Sequence, residues 1–175
     1  MKRRILLIPA LVAALTLTLA AQVQKKDVTG IRNYSRVDAS VGCGGAVDPA
    51  AMAGLKQEGY VSVINLRLPT EEGANIDAGR AAAQAAGLKY IHLPFNAAMP
   101  DAKVVDDFLV AVGDKANQPV FIHCASANRV GGMWMIKRVL KDGWTVDRAK
   151  TEAEAIGLRD PALTMFVTTY INAHR

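Results

Sequence analysis

The chain has 175 residues, 51% hydrophobic and 21% charged, with a formal net charge of +5 and two cysteines. That length suits one domain with a single sizeable core, and two thiols are too few for a disulfide scaffold. Lys2, Arg3 and Arg4 all precede the first acid, Asp27, so a chain processed behind them stands near +2 and charge gives no case for a nucleic-acid partner.

The basic start runs into an apolar stretch over 5–20 and ends in small residues at Ala20 and Ala21. This is the pattern of a secretory signal peptide over residues 1–21. The alternative is an uncleaved anchor, although the apolar run falls short of a full span. No cysteine stands near the cleavage site, which argues against a lipoprotein. The expected product is secreted, periplasmic in a Gram-negative source, and free of the membrane after cleavage. Its cysteines, Cys43 and Cys124, then meet an oxidising compartment, where they either pair or leave at least one thiol free for chemistry.

Residues 22–34 are polar and aperiodic and read as a linker, leaving 35–175 as the domain. Strand-like and helix-like stretches then alternate. A strand over 34–41 leads into a Gly-rich turn at 42–45. Asp48 followed by Pro49 is an N-cap with proline at the first helical position, opening a helix over 50–58. YVSVINL at 60–66 is a buried strand, 77–86 an Ala-rich helix closed by Gly87, and KYIHLPF at 89–95 another strand. Asp101 caps a helix to about 116, and a strand follows at 119–123. The helix over 129–141 is apolar all round at 133–136, which marks it as central and buried. Helices over 146–156 and from Asp160 to the end complete the chain. Strands without a polar face, joined by helices, predict an α/β fold: a small parallel sheet with helices on both faces.

The segment VFIHCASANRVG at 120–131 carries the chemistry. In an open α/β sheet, ligands bind beyond the carboxyl ends of the strands, where Cys124 falls. The backbone of Ala125, Ser126, Ala127, Asn128 and Val130, the dipole of the following helix and Arg129 can converge there on one oxyanion. A cysteine at a helix N-terminus beside a fixed cation has its pKa lowered, typically to about 3.5–7.5, which makes it a nucleophile. Arginine can hold two oxygens of a tetrahedral anion at once, which lysine cannot. Asn128 tolerates the positive φ that a tight loop needs, and Ser126 offers a hydroxyl. The bland alternative is a buried cysteine ahead of an ordinary helix.

Other residues carry paired readings. His123 either orients the loop through backbone hydrogen bonds or is a satisfied buried histidine, and His92 reads as structural. Glu71 and Glu72 either line the cleft or form an exposed acidic turn. Cys43 lies on the same sheet edge as Cys124, and either forms a reversible disulfide with it or is a small buried hydrophobe. No residues show metal-ligand spacing and no cofactor is expected.

GCGGAVDPAAM at 42–52, VINLR at 63–67, YIHLPF at 90–95, HCASANRVG at 123–131 and EAIGL at 154–158 resemble the bacterial beta-lactamase-hydrolase-like phosphatase domain family, over about 37–170. The resemblance implies the fold of the tyrosine and dual-specificity phosphatases and an anionic substrate, a phosphoester such as phosphotyrosine or a small aryl phosphate. It also implies Cys124 as a nucleophile forming a phosphocysteine, Arg129 as the oxyanion clamp and the backbone of 125–130 as the cradle.

Three features depart from the tyrosine-phosphatase pattern. Four residues separate Cys124 from Arg129 where that pattern has five, a length seen in rhodanese-like sulfurtransferases, whose cysteine carries a persulfide. Val130 stands where a hydroxyl residue would assist departure of the thiolate. The stretch PFNAAMP at 94–100 has no general-acid aspartate, leaving Asp101, whose other reading is the helix cap. General acid catalysis contributes typically about 10²–10⁴-fold. Three functions therefore stay open: a cysteine-dependent phosphatase, a sulfurtransferase working through a Cys124 persulfide, and an anion-binding module without turnover.

Overall fold

The computed structural model describes residues 23–175, so the expected signal peptide lies outside the described residues. Among them are two short strands, β1 (Gln24–Lys25) and β2 (Ser35–Arg36), and four longer ones, β3 (Val41–Gly44), β4 (Ser62–Asn65), β5 (Lys89–His92) and β6 (Val120–His123). The sheet order is β1-β2-β3-β6-β4-β5. The four longer strands run parallel, and β1 and β2 add an antiparallel edge. Six α-helices among the described residues cover the sheet: α1 (Met52–Gln57), α2 (Ile76–Ala85), α3 (Ala102–Gly113), α4 (Asn128–Leu140), α5 (Val146–Ile156) and α6 (Pro161–Ala173). The expected α/β class is the observed one, as a mixed, mostly parallel sheet.

Strand alternation divides the core. Val63 and Phe121 pack with Met52 and Leu55 of α1 and Ala83 of α2. Val41, Cys43, Ile64, Val120 and Ile122 face the other way, into the larger core built by α3 to α6. Asp48, Asp101 and Asp160 cap the helical segments that follow them, accepting from Ala50 N (3.1 Å), Lys103 N (2.8 Å) and Ala162 N (2.9 Å).

Two expectations need correction. The polar stretch read as a linker is an arm of the domain. Gln24 and Lys25 pair with Arg36 and Ser35, while Ile31 and Tyr34 are buried. Tyr34 stacks on Phe121 with ring centroids 5.7 Å apart, and its hydroxyl lies 2.8 Å from that of Tyr60. Two apolar anchors suffice to fix a stretch whose average composition is polar.

The second correction concerns the glycines expected in a turn at 42–45, of which Gly42 and Gly44 belong to β3. A Cβ on Gly42 would collide with the Tyr60 hydroxyl, and one on Gly44 would come within 2.8 Å of the Phe121 ring. Their bare backbone makes room for the aromatic stack. The turn falls earlier, where the Asp38 carboxylate accepts from Ser40 N at 2.8 Å and ends the strand expected over 34–41.

Helix α4 is the spine of the larger core. A Cβ on Gly131 would lie 2.6 Å from the Ala153 carbonyl, so the glycine lets α4 close onto α5. At its far end Arg138 gathers three carboxylates. It donates to Glu152 (2.7 and 3.2 Å), Asp142 (2.9 Å) and Asp38 (3.2 Å). Trp134 and Trp144 each hold a ring against its guanidinium, at 4.7 and 4.3 Å. The network anchors α4 at the end remote from the loop at Cys124. No helix among the described residues is long and apolar enough to cross a membrane.

Candidate active site

Parallel β6 ends between β3 and β4, with His123 opposite both Gly44 and Asn65. Cys124 follows at once, buried, with its amide donating to the Gly44 carbonyl at 3.3 Å. The next peptide groups are turned outward by their carbonyls. Ala46 N donates to the Ala125 carbonyl at 3.0 Å, and Asn33 Nδ2 to the Ser126 carbonyl at 3.1 Å. In a trans peptide the N–H points opposite to the C=O. Holding the Ala125 carbonyl from one side therefore aims the Ser126 amide to the other side of the loop, and Gly45 and Ser126 form an antiparallel bridge that ties the loop to the end of β3.

Ala127 then adopts a left-handed conformation, φ 73°, as the cap residue of α4. This conformation disfavours a non-glycine residue by roughly 1–2 kcal/mol, and such outliers gather at functional sites. The strain sits at Ala127 and not at Asn128, as the sequence suggested. A Cβ on Gly157 would approach the Ala127 Cβ within 3.0 Å, so the surrounding packing selects the small side chain. Asn128 instead ties the loop to the α5–α6 connection, accepting from Arg159 N (2.8 Å) and Asp160 N (3.1 Å). The amides of Asn128, Arg129 and Val130 form the first turn of α4, where helix geometry supplies no intrahelical acceptor. The Val130 side chain is buried in the core below them.

Arg129 is held in place by Glu71. Its Nη1 and Nη2 donate to the two Glu71 carboxylate oxygens at 2.5 and 2.8 Å, and Nη1 also donates to the Leu66 and Phe95 carbonyls, both at 3.1 Å. This occupies one edge of the guanidinium and leaves the Nε–H and the second Nη2 hydrogen as a fork for two oxygens of a ligand. Burial opposes the charge on Arg129, but the Glu71 hydrogen bond, followed by the Cys124 and Glu71 charges, raises its pKa above the ordinary value. Burial likewise opposes the Glu71 carboxylate, and the Arg129 and Leu68 hydrogen bonds override it, bringing its pKa down to about 2. Arg67, buried, completes the support. It donates to Glu71 (3.3 Å) and to the carbonyls of Glu72 (2.5 Å) and Gly73 (2.8 Å).

The remaining candidates divide clearly. Glu71, one of the two acids expected either in the cleft or on an exposed turn, is part of the site, while the Glu72 side chain is exposed and only its carbonyl is used. His123 is buried, and neither ring nitrogen has a hydrogen-bond partner among the described residues. Burial above all pushes its pKa down to about 4, so the ring is neutral at neutral pH. It lies against Phe121, centroids 6.4 Å apart, with the backbone of Cys124 and Gly45 beside the ring. His92 Nε2 lies 2.8 Å from the Arg67 carbonyl, a structural contact. Asp101 is exposed, with its carboxylate taken by the start of α3. Cys43 faces the same core as Cys124 from the position beside Ile122, both cysteines are free thiols, and burial pushes the Cys43 thiol up. No three His, Cys, Asp or Glu side chains are grouped for a metal ion among the described residues.

Sequence reading passed over Asn33, hidden in the presumed linker, and Arg67, whose only signal was its place at the end of a strand four residues before an acid. Asn33 has a measurable role. An Asn33→Ala variant is expected to bind inorganic phosphate about fivefold more weakly, the effect of one hydrogen bond of about 1 kcal/mol. Titration calorimetry reads this directly, and an unchanged affinity would detach the arm from the loop.

The arrangement sets a thiol next to the first amides of α4 and an arginine whose guanidinium is fixed on one edge, a donor set of the kind that suits a tetrahedral oxyanion. Solved structures share the fold around it. A putative phosphatase of the DUF442 type from Shewanella putrefaciens superposes with a TM-score of 0.70 at 22% identity, covering 83% of this chain and 93% of its own. The core catalytic domain of the PP-IP phosphatase SIW14 from S. cerevisiae, with citrate bound, gives 0.68 at 18% identity, covering 84% and 93%. A cysteine-to-serine variant of TpbA from P. aeruginosa, in complex with phosphotyrosine, gives 0.65 at 20% identity, covering 88% and 90%. No curated protein sequence matches the chain. The profile described as "Beta-lactamase hydrolase-like protein, phosphatase-like domain" matches residues 33–141, from Asn33 in the arm to the end of α4. That span holds Glu71, Cys124 and Arg129 together with the strands that bring them to one edge, and the chain belongs to this phosphatase-like family.

Proposed function

We propose that this domain hydrolyses phosphomonoesters, aryl esters above all, with Cys124 as the nucleophile. One observation carries the reading: Cys124 lies next to the first amides of α4 and the free Arg129 edge, which together match three oxygens of a phosphoryl group. In the first step the Cys124 thiolate, its proton lost to solvent, attacks phosphorus. The S–P bond forms, the P–O bond to the leaving group breaks, and the electron pair stays on the departing oxygen. In the second step water attacks phosphorus, the S–P bond breaks with its electron pair returning to the Cys124 sulfur, and inorganic phosphate leaves carrying the water oxygen, with the water protons passing to it and to solvent.

Arg129 and the amides stabilise the charge on the equatorial oxygens in both steps. The preference for aryl esters follows from the connection between β5 and α3. It has no acid from Leu93 to Pro100, and Asp101 is engaged as a cap. A phenoxide can leave without a proton, whereas an alkoxide needs one. The phosphotyrosine bound to the structurally similar TpbA variant supports the same substrate class.

The test is the mature domain assayed with 4-nitrophenyl phosphate, and separately with thiosulfate and cyanide. Phosphate release is expected in the wild type, lost in Cys124→Ser and lowered by roughly 10²–10³-fold in kcat in Arg129→Ala. A persulfide mass on Cys124 without phosphate release would overturn this in favour of sulfur transfer. Phosphate binding without turnover would leave only an anion-binding module.

A further inference from the structure

We infer that the N-terminal arm builds a second subsite beside the anion loop, where Arg32 receives an acidic group carried by the leaving group of the substrate. The inference rests on the phosphatase reading and extends it to the part of the substrate that departs.

The position of a groove of about 570 Å³ comes first. It is lined by Ile31 and Arg32 of the arm, Val47 and Asp48 after β3, and Gly73 and Asn75 after β4. Because β6 lies between β3 and β4, a groove walled by the connections that leave those two strands lies beyond the end of β6, where the anion loop begins. Both walls are bonded to the site. On one side Ala46 and Asn33 hold the Ala125 and Ser126 carbonyls. On the other, the Gly73 carbonyl is held by Arg67, which shares Glu71 with Arg129. A substrate whose phosphoryl group sits on the loop therefore has this groove as an adjoining surface for its remaining part.

The chemistry of the lining follows. Ile31 and Val47 give an apolar floor for an aryl body. Arg32 is exposed and forms no ion pair or side-chain hydrogen bond among the described residues. Its backbone is fixed in both directions, Arg32 N donating to the Ala46 carbonyl at 2.9 Å and Gly45 N to the Arg32 carbonyl at 2.6 Å. An arginine on an immobilised backbone offers a planar fork suited to carboxylate or phosphate oxygens. The other charge in the groove, Asp48, has one carboxylate oxygen committed to Ala50 N. The ligand chemistry is a second anion, either the carboxylate of an acidic residue beside phosphotyrosine or a second phosphate on a small ester.

Specificity ratios test this. The wild type and the Arg32→Ala and Arg32→Glu variants are assayed with a phosphotyrosine peptide flanked by glutamates and the same peptide flanked by glutamines. A bis-phosphorylated and a mono-phosphorylated aryl ester form the second pair. In the wild type kcat/KM is expected to favour the acidic member of at least one pair by about two- to fivefold, the range a partly exposed ion pair supports. That preference falls to about one in Arg32→Ala and inverts in Arg32→Glu, and the pair that responds identifies the source of the anion. Equal kcat/KM within both pairs in the wild type, with 4-nitrophenyl phosphate still hydrolysed, overturns the subsite and leaves the phosphatase reading intact. So does a preference that survives in Arg32→Glu. No hydrolysis of any ester overturns both.

Discussion

A Glu71→Ala variant is expected to lose about a hundredfold in kcat toward 4-nitrophenyl phosphate, although Glu71 touches no substrate. Its carboxylate fixes one edge of the Arg129 guanidinium so that the other edge faces the loop. Without it the side chain keeps only the Leu66 and Phe95 carbonyls, both on Nη1, and can swing about that nitrogen. Displacement of a charge-stabilising group by about 1 Å is enough for a loss of about 10²-fold. Glu71→Gln retains an acceptor for Leu68 N and Arg129 Nη1 but turns its amide N–H groups toward Arg129 Nη2 and Arg67 Nε, so it is expected to recover little. A kcat within threefold of the wild type would remove Glu71 from its positioning role.

The same residue predicts a pH signature in stability. Its folded pKa, about 2, lies below the ordinary value of 4.5. A carboxylate depressed in this way contributes stability that is fully present above the unfolded pKa and is lost as pH falls through the folded one. The stability gap between wild type and Glu71→Gln should therefore be constant near neutrality and shrink between about pH 4.5 and pH 2. Denaturation across that range checks it, and a gap independent of pH would contradict the assignment.

The largest effect on stability is expected at Arg138. Arg138→Ala leaves Glu152 buried with Trp134 Nε1, at 2.7 Å, as its remaining partner, while Asp38 keeps its bonds from Ser40 and Asp142 its ion pair with Lys137. Breaking a buried pair from one side typically costs about 3–5 kcal/mol. In a domain of this size that lowers Tm by roughly 6–20 °C. Replacing both partners, as Arg138→Met with Glu152→Leu, is expected to cost less than the single change, because no buried charge is left unpaired. Urea denaturation of the wild type and the two variants decides the point, and an Arg138→Ala variant within about 1 kcal/mol of the wild type would show that the network is decorative.

How far the sequence reveals this molecule depends on how far apart in the chain the cooperating groups lie. The helices and the strands after residue 60 are written in contiguous apolar runs and in the aspartates at 48, 101 and 160, and these lie close to where they are expected, whereas the strand expected over 34–41 is split by a turn. The anion loop was legible for the same reason, since thiol, amides and arginine occupy six consecutive positions. The supporting contacts are not local. Glu71 meets Arg129 across 58 residues, Asn33 meets Ser126 across 93, and Asp38 meets Arg138 across 100. Each pairs residue types that by themselves read as solvated surface. The glycines at 42 and 44 misled for a related reason, because their need for space is set by Tyr60 and Phe121, which lie elsewhere in the chain.

The sheet's two margins have a consequence for how copies of this domain behave when crowded. A free strand edge is a row of unpaired amides and carbonyls that invites a neighbour to extend the sheet. Here one margin is the two-residue Gln24–Lys25 and the other is Lys89–His92, with Pro94 two positions on. Neither offers more than four backbone positions, and each carries a lysine that copies would have to bring face to face. Among the described residues, strand addition at either edge therefore finds only a short template.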